Sequence, residues 1–167
     1  PGATNMITAA GVAMANRLPV LFISGDTFVS RLPDPVLQQV EHFGSPSTTV
    51  NDGFRPVVRF WDRLVHPAQV LSSLPQAVST LLDPADCGPV FIGLPQDIAA
   101  DAIDCPEEFF AVQVHVIARP RPDLGQIVRA ADAIRAAERP VIIAGGGVHY
   151  SRAESELAAF AEEFADL

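Results

Sequence analysis

The sequence predicts an α/β fold, a parallel sheet flanked by helices, and three observations carry that reading. A helical run precedes a short apolar run at 6–16 and 19–24, at 67–82 and 90–94, and at 124–134 and 140–144. The short runs are rich in Val, Ile, Leu and Phe and are bounded by Pro or Gly, as strands buried in a sheet are. Alternation of helix and strand makes the strands parallel and puts the helices on the sheet faces.

The first element starts at the turn Pro1-Gly2-Ala3-Thr4-Asn5, which runs straight into a helix from Met6 to Asn16. Such a turn presents unpaired backbone N–H groups at a helix start, where a polar ligand can be held. Ile7, Ala9, Ala10, Val12, Ala13 and Met14 make that helix apolar or small nearly all round, so it is expected to be buried on several sides. It should stop near Asn16-Arg17, ahead of Pro19. The strand Pro19-Val20-Leu21-Phe22-Ile23-Ser24 follows, and Gly25-Asp26-Thr27 sits at its carboxyl end. In an open parallel sheet that end lines the ligand crevice, so Asp26 and Thr27 are candidates for a polar wall. A turn closed by an Asx hydrogen bond explains the same residues equally well.

Residues 31–56 are punctuated by Pro33, Pro35, Pro46 and Pro56, with one short helical run carrying Val36, Leu37 and Val40. The helix at 67–82 has Pro67 in its first turn and Val70, Leu71, Leu74, Val78, Leu81 and Leu82 on one stripe. Pro75 lies inside it and is expected to kink it. Asp83-Pro84 ends the helix, and Gly88-Pro89 introduces the strand from Val90 to Leu94. Prolines, acids and the Phe109-Phe110 pair then appear without a period, which predicts a linker over 98–122 packed against a surface. Asp123 caps a helix carrying Leu124, Ile127, Val128, Ala131 and Ile134. Pro140-Val141-Ile142-Ile143-Ala144 reads as a strand and Gly145-Gly146-Gly147 as a tight turn. Ser151 with Glu154 reads as the capping box of a last helix, whose Leu157, Phe160, Ala161 and Phe164 face inward. One helix–strand–helix unit cannot close a sheet, so the second domain is expected to be incomplete.

Composition narrows the function. Apolar residues make up 49% of the 167, enough for a packed core. Eleven Lys and Arg stand against 20 Asp and Glu, a net charge of −9, and no basic run points to nucleic acid or an anionic membrane. No apolar stretch approaches the roughly 20 residues of a membrane span. Cys87 and Cys105 lack metal-ligand spacing and read as free thiols of a cytoplasmic protein, although a disulfide between them is possible. No pair among His42, His66, His115 and His149 has helical metal-site spacing, so caps and surface contacts are expected of them. Glu107-Glu108 and Glu162-Glu163 are adjacent and point apart, as solvated faces do. Ser24-Gly25-Asp26 does not match the nucleophile elbow of a serine hydrolase. The Gly145–Gly147 turn has the context of a dinucleotide loop, but Tyr150 stands where its last glycine belongs, so a plain turn is the better reading.

Two motifs carry a more specific resemblance. Pro1-Gly2-Ala3-Thr4-Asn5, together with Gly88-Pro89-Val90-Phe91-Ile92-Gly93-Leu94-Pro95-Gln96-Asp97, resembles the thiamine-diphosphate enzymes of the acetolactate synthase type. Gly25-Asp26 stands where acetolactate synthases usually have Gly-Gln, Gln38-Gln39 aligns with their Gln-Glu, and Trp61-Asp62 with an aromatic-Asn pair. The resemblance implies that 1–97 is the C-terminal part of a pyrimidine-binding domain, 98–122 a linker, and 123–167 the start of a Rossmann-like middle domain. The stretch from Gly25 to Phe28 and from Leu32 to Glu41 looks most like the branch that hydrolyses trihydroxycyclohexane-1,2-dione in inositol catabolism, with water as the acceptor in place of a second keto acid.

By that resemblance Pro1, Gly2 and Asn5 would touch the cofactor's pyrimidine ring, and Asp26, Gln38 and Gln39 would lie nearer the substrate. The parent enzyme would use thiamine diphosphate and Mg²⁺, whose carbanion chemistry cleaves a C–C bond. It would act on a small molecule as a homo-oligomer, a dimer or tetramer with half-sites completed across the interface. The family's activating glutamate and its diphosphate–metal motif have no counterpart in these 167 residues. The chain is therefore expected to be an inactive fragment, with no catalytic or metal residue of its own and no cofactor bound alone. An acetolactate synthase-like carboligase or lyase fragment, and a non-catalytic dimerisation or nucleotide-binding module, are the alternatives.

Overall fold

The computed structural model describes residues 1–30, 39–40 and 42–163. The chain divides into two compact units, Pro1–Ile117 and Ala118–Leu167. Helix α1 spans Thr4–Ala15, strand β1 Leu21–Asp26, β2 Phe60–Arg63, helix α2 Val70–Leu82, β3 Val90–Pro95 and the short α3 Gln96–Ala99. A 3-10 helix, Val50–Val57, fills the stretch between β1 and β2, and a second, Pro67–Gln69, leads into α2. The three strands form a parallel sheet in the order β1-β3-β2, with Leu21 opposite Val90 and Phe60 opposite Val90 on the other side.

The central strand is β3, and its composition follows from that place. Both of its edges are paired and both faces covered, so Val90, Phe91 and Ile92 are all buried. On one face Phe91 meets Ala10 of α1, Phe22 of β1, and Phe54 and Val58 from the 3-10 segment. The Phe54 and Phe91 rings stack at 4.3 Å between centroids. Ala10 and Ala13 are the buried positions of α1, and their small side chains let the helix lie close to the sheet. On the other face Val90 and Ile92 meet Leu64 and Ala77, with Val70, Leu74 and Leu81 packed around them. Positions 70, 74, 77 and 81 are one stripe of a 3.6-residue helix.

Local signals account for the ends. Helix α1 closes with the Leu18 N–H on the Ala13 carbonyl (2.9 Å) and Arg17 in the left-handed region at φ 54°. The Arg17 guanidinium then reaches the Pro84 and Ala85 carbonyls at 2.7 and 2.8 Å, anchoring α1 to the turn after α2. Helix α2 runs through Pro75 as one continuous element. Strand β2 lies beyond the sequence reading because its four residues are only half-buried and do not alternate cleanly.

The linker stretch differs from expectation. It carries only the 3-10 turn Glu107–Phe110, and Phe110, Val112, Val114 and Val116 are exposed instead of packed against a surface.

The second unit contains α4 (Leu124–Arg135), α5 (Gly147–Ser151) and α6 (Glu154–Glu163). Asp123 caps α4 by accepting the Gln126 N–H at 3.0 Å. The run 140–144 does not form a strand. A strand needs a ladder partner, and among the described residues of this unit there is none. Ser151 is the last residue of α5, not the cap of α6. Arg152 turns the chain at φ 54°, and the Glu154 carboxylate meets His149 Nδ1 at 2.8 Å. The helical run read at 36–40 falls largely outside the described residues, and Phe164 lies wholly outside them.

Phe54 touches the α1 side of the sheet at its centre, so Phe54→Ala should lower stability by about 3–5 kcal/mol. Urea unfolding followed by circular dichroism checks it; a loss under about 1 kcal/mol would mean that this face is not the core.

Candidate functional site

Helix α1 leads directly into β1, so its first turn lies beside the carboxyl end of that strand. There Pro1, Gly2, Asp26, Gln39, Thr49 and Asn51 line a cleft of about 270 Å³. The opening turn is held by the Thr4 N–H and Thr4 hydroxyl, both donating to the Pro1 carbonyl at 3.1 and 2.6 Å. A Cβ at Gly2 or at Gly25 would meet nothing within 4 Å, so neither glycine is demanded by packing and both leave room at the cleft.

Asp26 is the charged group of the wall and is 5% exposed. Its Oδ1 accepts the Thr27 N–H at 2.8 Å and its Oδ2 accepts from Arg63 Nε at 2.6 Å. The local bond runs to the next residue's N–H and is not the Asx turn expected from the sequence, and Asp26 lines the cleft as well. Arg63 itself comes from the end of β2. It also donates to Thr49 Oγ1 (2.7 Å), Asp52 Oδ2 (3.0 Å) and the Ser47 carbonyl (3.2 Å). Burial alone would lower the guanidinium pKa, but hydrogen bonds and charge from Asp26 and Asp52 outweigh it and raise it. For Asp52 burial pushes the carboxyl up, while the Thr49 N–H, Arg55 and Arg63 together pull it below its ordinary value.

Asn51 is wholly buried and joins the 3-10 segment to the sheet. Its Nδ2 donates to the Gly25 carbonyl at 2.9 Å, and its own carbonyl accepts from Trp61 Nε1 at 3.0 Å. Its Oδ1 and the Gln39 Oε1 are buried without a hydrogen-bond partner. Two unpartnered amide oxygens and a carboxylate make this wall rich in acceptors, which fits a ligand that brings donors, such as an amino group on a ring or a hydroxyl. Among the described residues no Lys or Arg lines the cleft. Among the described residues no group of three His, Cys, Asp or Glu could hold a metal. The cleft thus fits the ring end of a cofactor or a polar substrate and is ill-suited to a diphosphate.

Of the residues singled out in the sequence, Pro1, Gly2, Asp26 and Gln39 come together here. Asn5 is exposed, the second residue of α1, and does not line the cleft. Gln38 lies outside the described residues. Asp97, the last residue of the second motif, has an architectural part: its carboxylate accepts the N–H groups of Val29 (3.1 Å) and Ser30 (2.9 Å), pinning the chain after β1 to the end of β3. Burial pushes the Cys87 thiol up, as suits a packing residue, and Cys105 is free as well. His66 caps the turn before α2, with Nδ1 accepting the Ala68 N–H at 3.2 Å. Gly145-Gly146-Gly147 opens only the five-residue α5.

Sequence reasoning passed over Arg63, Thr49, Asn51 and Asp52. Thr49 and Asp52 form a capping box at the start of the 3-10 segment, a pattern readable at their spacing. Arg63 follows Trp61 by two, the period that puts both on one face of a strand, but the run is too short to declare itself.

Because the folded state holds Asp52 below its ordinary pKa, its contribution to stability is complete above about pH 4 and is lost as pH falls through the lowered value. Asp52→Asn should therefore reduce the urea midpoint at neutral pH, and the gap from wild type should close on acidification. A gap constant with pH would remove the ionised carboxylate from the account.

Residues 127–165 match the family described as the thiamine pyrophosphate enzyme, central domain. Over 164 residues, 98% of the chain, it is 48% identical to a 3D-(3,5/4)-trihydroxycyclohexane-1,2-dione hydrolase of Geobacillus thermodenitrificans. A protein of the same name from Bacillus subtilis is 46% identical over the same share. The chain spans about a quarter of the length of these relatives, 26% in both cases. Among solved structures, benzoylformate decarboxylase from Polynucleobacter necessarius has a TM-score of 0.73 at 25% identity, covering 96% of this chain and 28% of its own. The thiamine diphosphate-dependent 4-hydroxybenzoylformate decarboxylase of Rhodococcus jostii gives 0.72 at 23%, covering 96% and 29%.

Proposed function

We propose that this chain, related along nearly its whole length to thiamine-diphosphate-dependent dione hydrolases, is the part of such an enzyme that forms the ring and substrate end of its active site. The single observation that carries the reading is the cleft at the carboxyl end of β1, where Pro1, Gly2 and Asp26 meet Gln39 and Asn51, whose amide oxygens are unpartnered. The identity of 48% to the Geobacillus hydrolase supports the substrate. The parent reaction is then addition of water across one ring C–C bond of trihydroxycyclohexane-1,2-dione, which opens the ring to 5-deoxy-glucuronate. Thiamine diphosphate, held through Mg²⁺ by parts of the parent other than this chain, supplies the electron sink for that cleavage.

In this arrangement residues 1–97 are the C-terminal part of the pyrimidine-binding domain, 98–122 the linker, and 123–167 the start of the middle domain. Pro1 and Gly2 offer backbone groups to the pyrimidine ring, and Asn5 stands next to them as the second residue of α1. Asp26 and Gln39, with Gln38 beside it, accept hydrogen bonds from the substrate hydroxyls. A second subunit completes the half-site, which makes the parent a dimer or tetramer. The uncovered apolar residues Leu21 and Ile23 on β1 and Val141 and Ile143 in the second unit support burial against further protein. A cytoplasmic setting follows from free thiols and a metabolic substrate. No helix among the described residues is long and apolar enough to cross a membrane.

The full-length enzyme, loaded with thiamine diphosphate and Mg²⁺, should consume the dione with uptake of one water and leave pyruvate unligated. Acetolactate formation from pyruvate would assign the parent to the carboligases instead. The isolated chain should give no heat on titration with thiamine diphosphate and Mg²⁺, because among the described residues no Lys or Arg lines the cleft to meet the diphosphate. Micromolar binding would show that the chain holds the diphosphate by itself.

A further inference from the structure

We propose that Arg63 is a positioning residue for the cleft: it fixes the Asp26 carboxylate at the wall through a contact that crosses the central strand at Gly93. The inference rests on the reading of the cleft as a substrate site, and it assigns a residue that does not itself line the cleft.

The sheet order makes the contact unusual. Arg63 is on β2 and Asp26 on β1, and β3 lies between them. In register Gly93 faces Ser24 on one side and Arg63 on the other. Phe22, Phe91 and Trp61 share one core cluster, so the two-residue period puts Ser24, Asp26, position 93 and Arg63 on that same face. A side chain at 93 would stand in the path. A Cβ built there lies 2.9 Å from Asp26 Oδ2, closer than real Cβ contacts allow. The glycine leaves the gap through which the guanidinium reaches the carboxylate.

Four of the five guanidinium N–H groups of Arg63 are engaged, which leaves one on Nη1. Its side chain is 16% exposed, and Nε, Nη1 and Nη2 are directed at Asp26, Ser47, Thr49 and Asp52. It reaches the cleft through the Asp26 carboxylate and also through Thr49 Oγ1. Each oxygen of Asp26, whose side chain is 1% exposed, then has one fixed donor, Thr27 N–H on Oδ1 and Arg63 Nε on Oδ2. Held at both oxygens, the carboxylate cannot rotate away, which is the condition for orienting a substrate.

The test uses the full-length enzyme with thiamine diphosphate and Mg²⁺, comparing wild type, Arg63→Lys, Asp26→Asn and the double variant. Lysine keeps the charge and loses the planar fork. Arg63→Lys should lower kcat/KM for the dione on the order of tenfold to a hundredfold, as a misplaced group does. The dissociation constant for thiamine diphosphate should not change, and the loss in the double variant should fall short of the product of the two single losses. Losses that multiply, or a wild-type kcat/KM in Arg63→Lys, would overturn the proposal. If wild type does not hydrolyse the dione, the functional reading fails, and the crystal structure of Arg63→Lys decides the positioning claim. Displacement of the Asp26 carboxylate by more than about 0.5 Å supports it, and an unmoved carboxylate overturns it. Should Arg63→Lys not fold, Gly93→Ala enters the same gap without altering a charge and is read by the same outcomes.

Discussion

A guanidinium enclosed with two carboxylates on one face of the sheet sets the conditions for the rest of the first unit. Taking Arg63 and Asp26 out of water costs several kcal/mol per ion unless the remaining hydrogen-bonding groups are matched. Here they are matched from elements far apart in sequence: Thr27 after β1, and Ser47, Thr49 and Asp52 at the start of the 3-10 segment. Arg55 adds a second donor to Asp52 at 2.9 Å and lies 3.5 Å over the Trp61 ring. The loop before β2, the end of β1 and the end of β2 therefore hold their positions together, and displacing any one strands a buried charge. Such a network contributes little net stability but leaves few alternative arrangements.

The apolar core beneath it works by a different rule. The stacked Phe54 and Phe91 rings, with Phe22 tilted at 6.0 Å, bring the 3-10 segment onto the sheet whatever the charges above do. Asn51 then lies between two regimes. Its backbone carbonyl is tied to Trp61 at the core, its Nδ2 to the Gly25 carbonyl, and its Oδ1 is left at the cleft. An unmatched acceptor at the meeting point of core and cleft is costly in the unliganded protein, and a donor on a bound molecule would remove that cost.

The sheet and its helices were legible because their signals are repeated. Positions 70, 74 and 81 mark the buried stripe of α2 by period, Asp123 marks the start of α4 by its cap, and the strands at 21–26 and 90–95 show as apolar runs. The cleft was half legible: Pro1, Gly2, Asp26 and Gln39, singled out in the sequence, line it together, and Arg63 behind it was not singled out. Arginines on a short half-buried strand have no local signature, and the crossing of β3 exists only once three strands are in order. The run at 140–144 misled for the converse reason. Its residues suit a strand, but pairing is a property of a neighbour, and Val141 and Ile143 remain 85% and 93% exposed without one.

The character of the cleft also decides which end of a two-ended ligand it can receive. A diphosphate needs cations or a run of free N–H groups, and a wall of one carboxylate and two amide oxygens repels it. An aminopyrimidine or a polyhydroxylated ring brings N–H and O–H groups, and these suit Asp26, Gln39 and Asn51. The chain spans about a quarter of the relatives it matches (26%), and under the function proposed above the phosphate end would be bound elsewhere in a longer parent. With Arg63 enclosed by its own carboxylates, the cleft selects for donors, and discrimination between substrates would come from how many hydroxyls meet acceptors fixed in place.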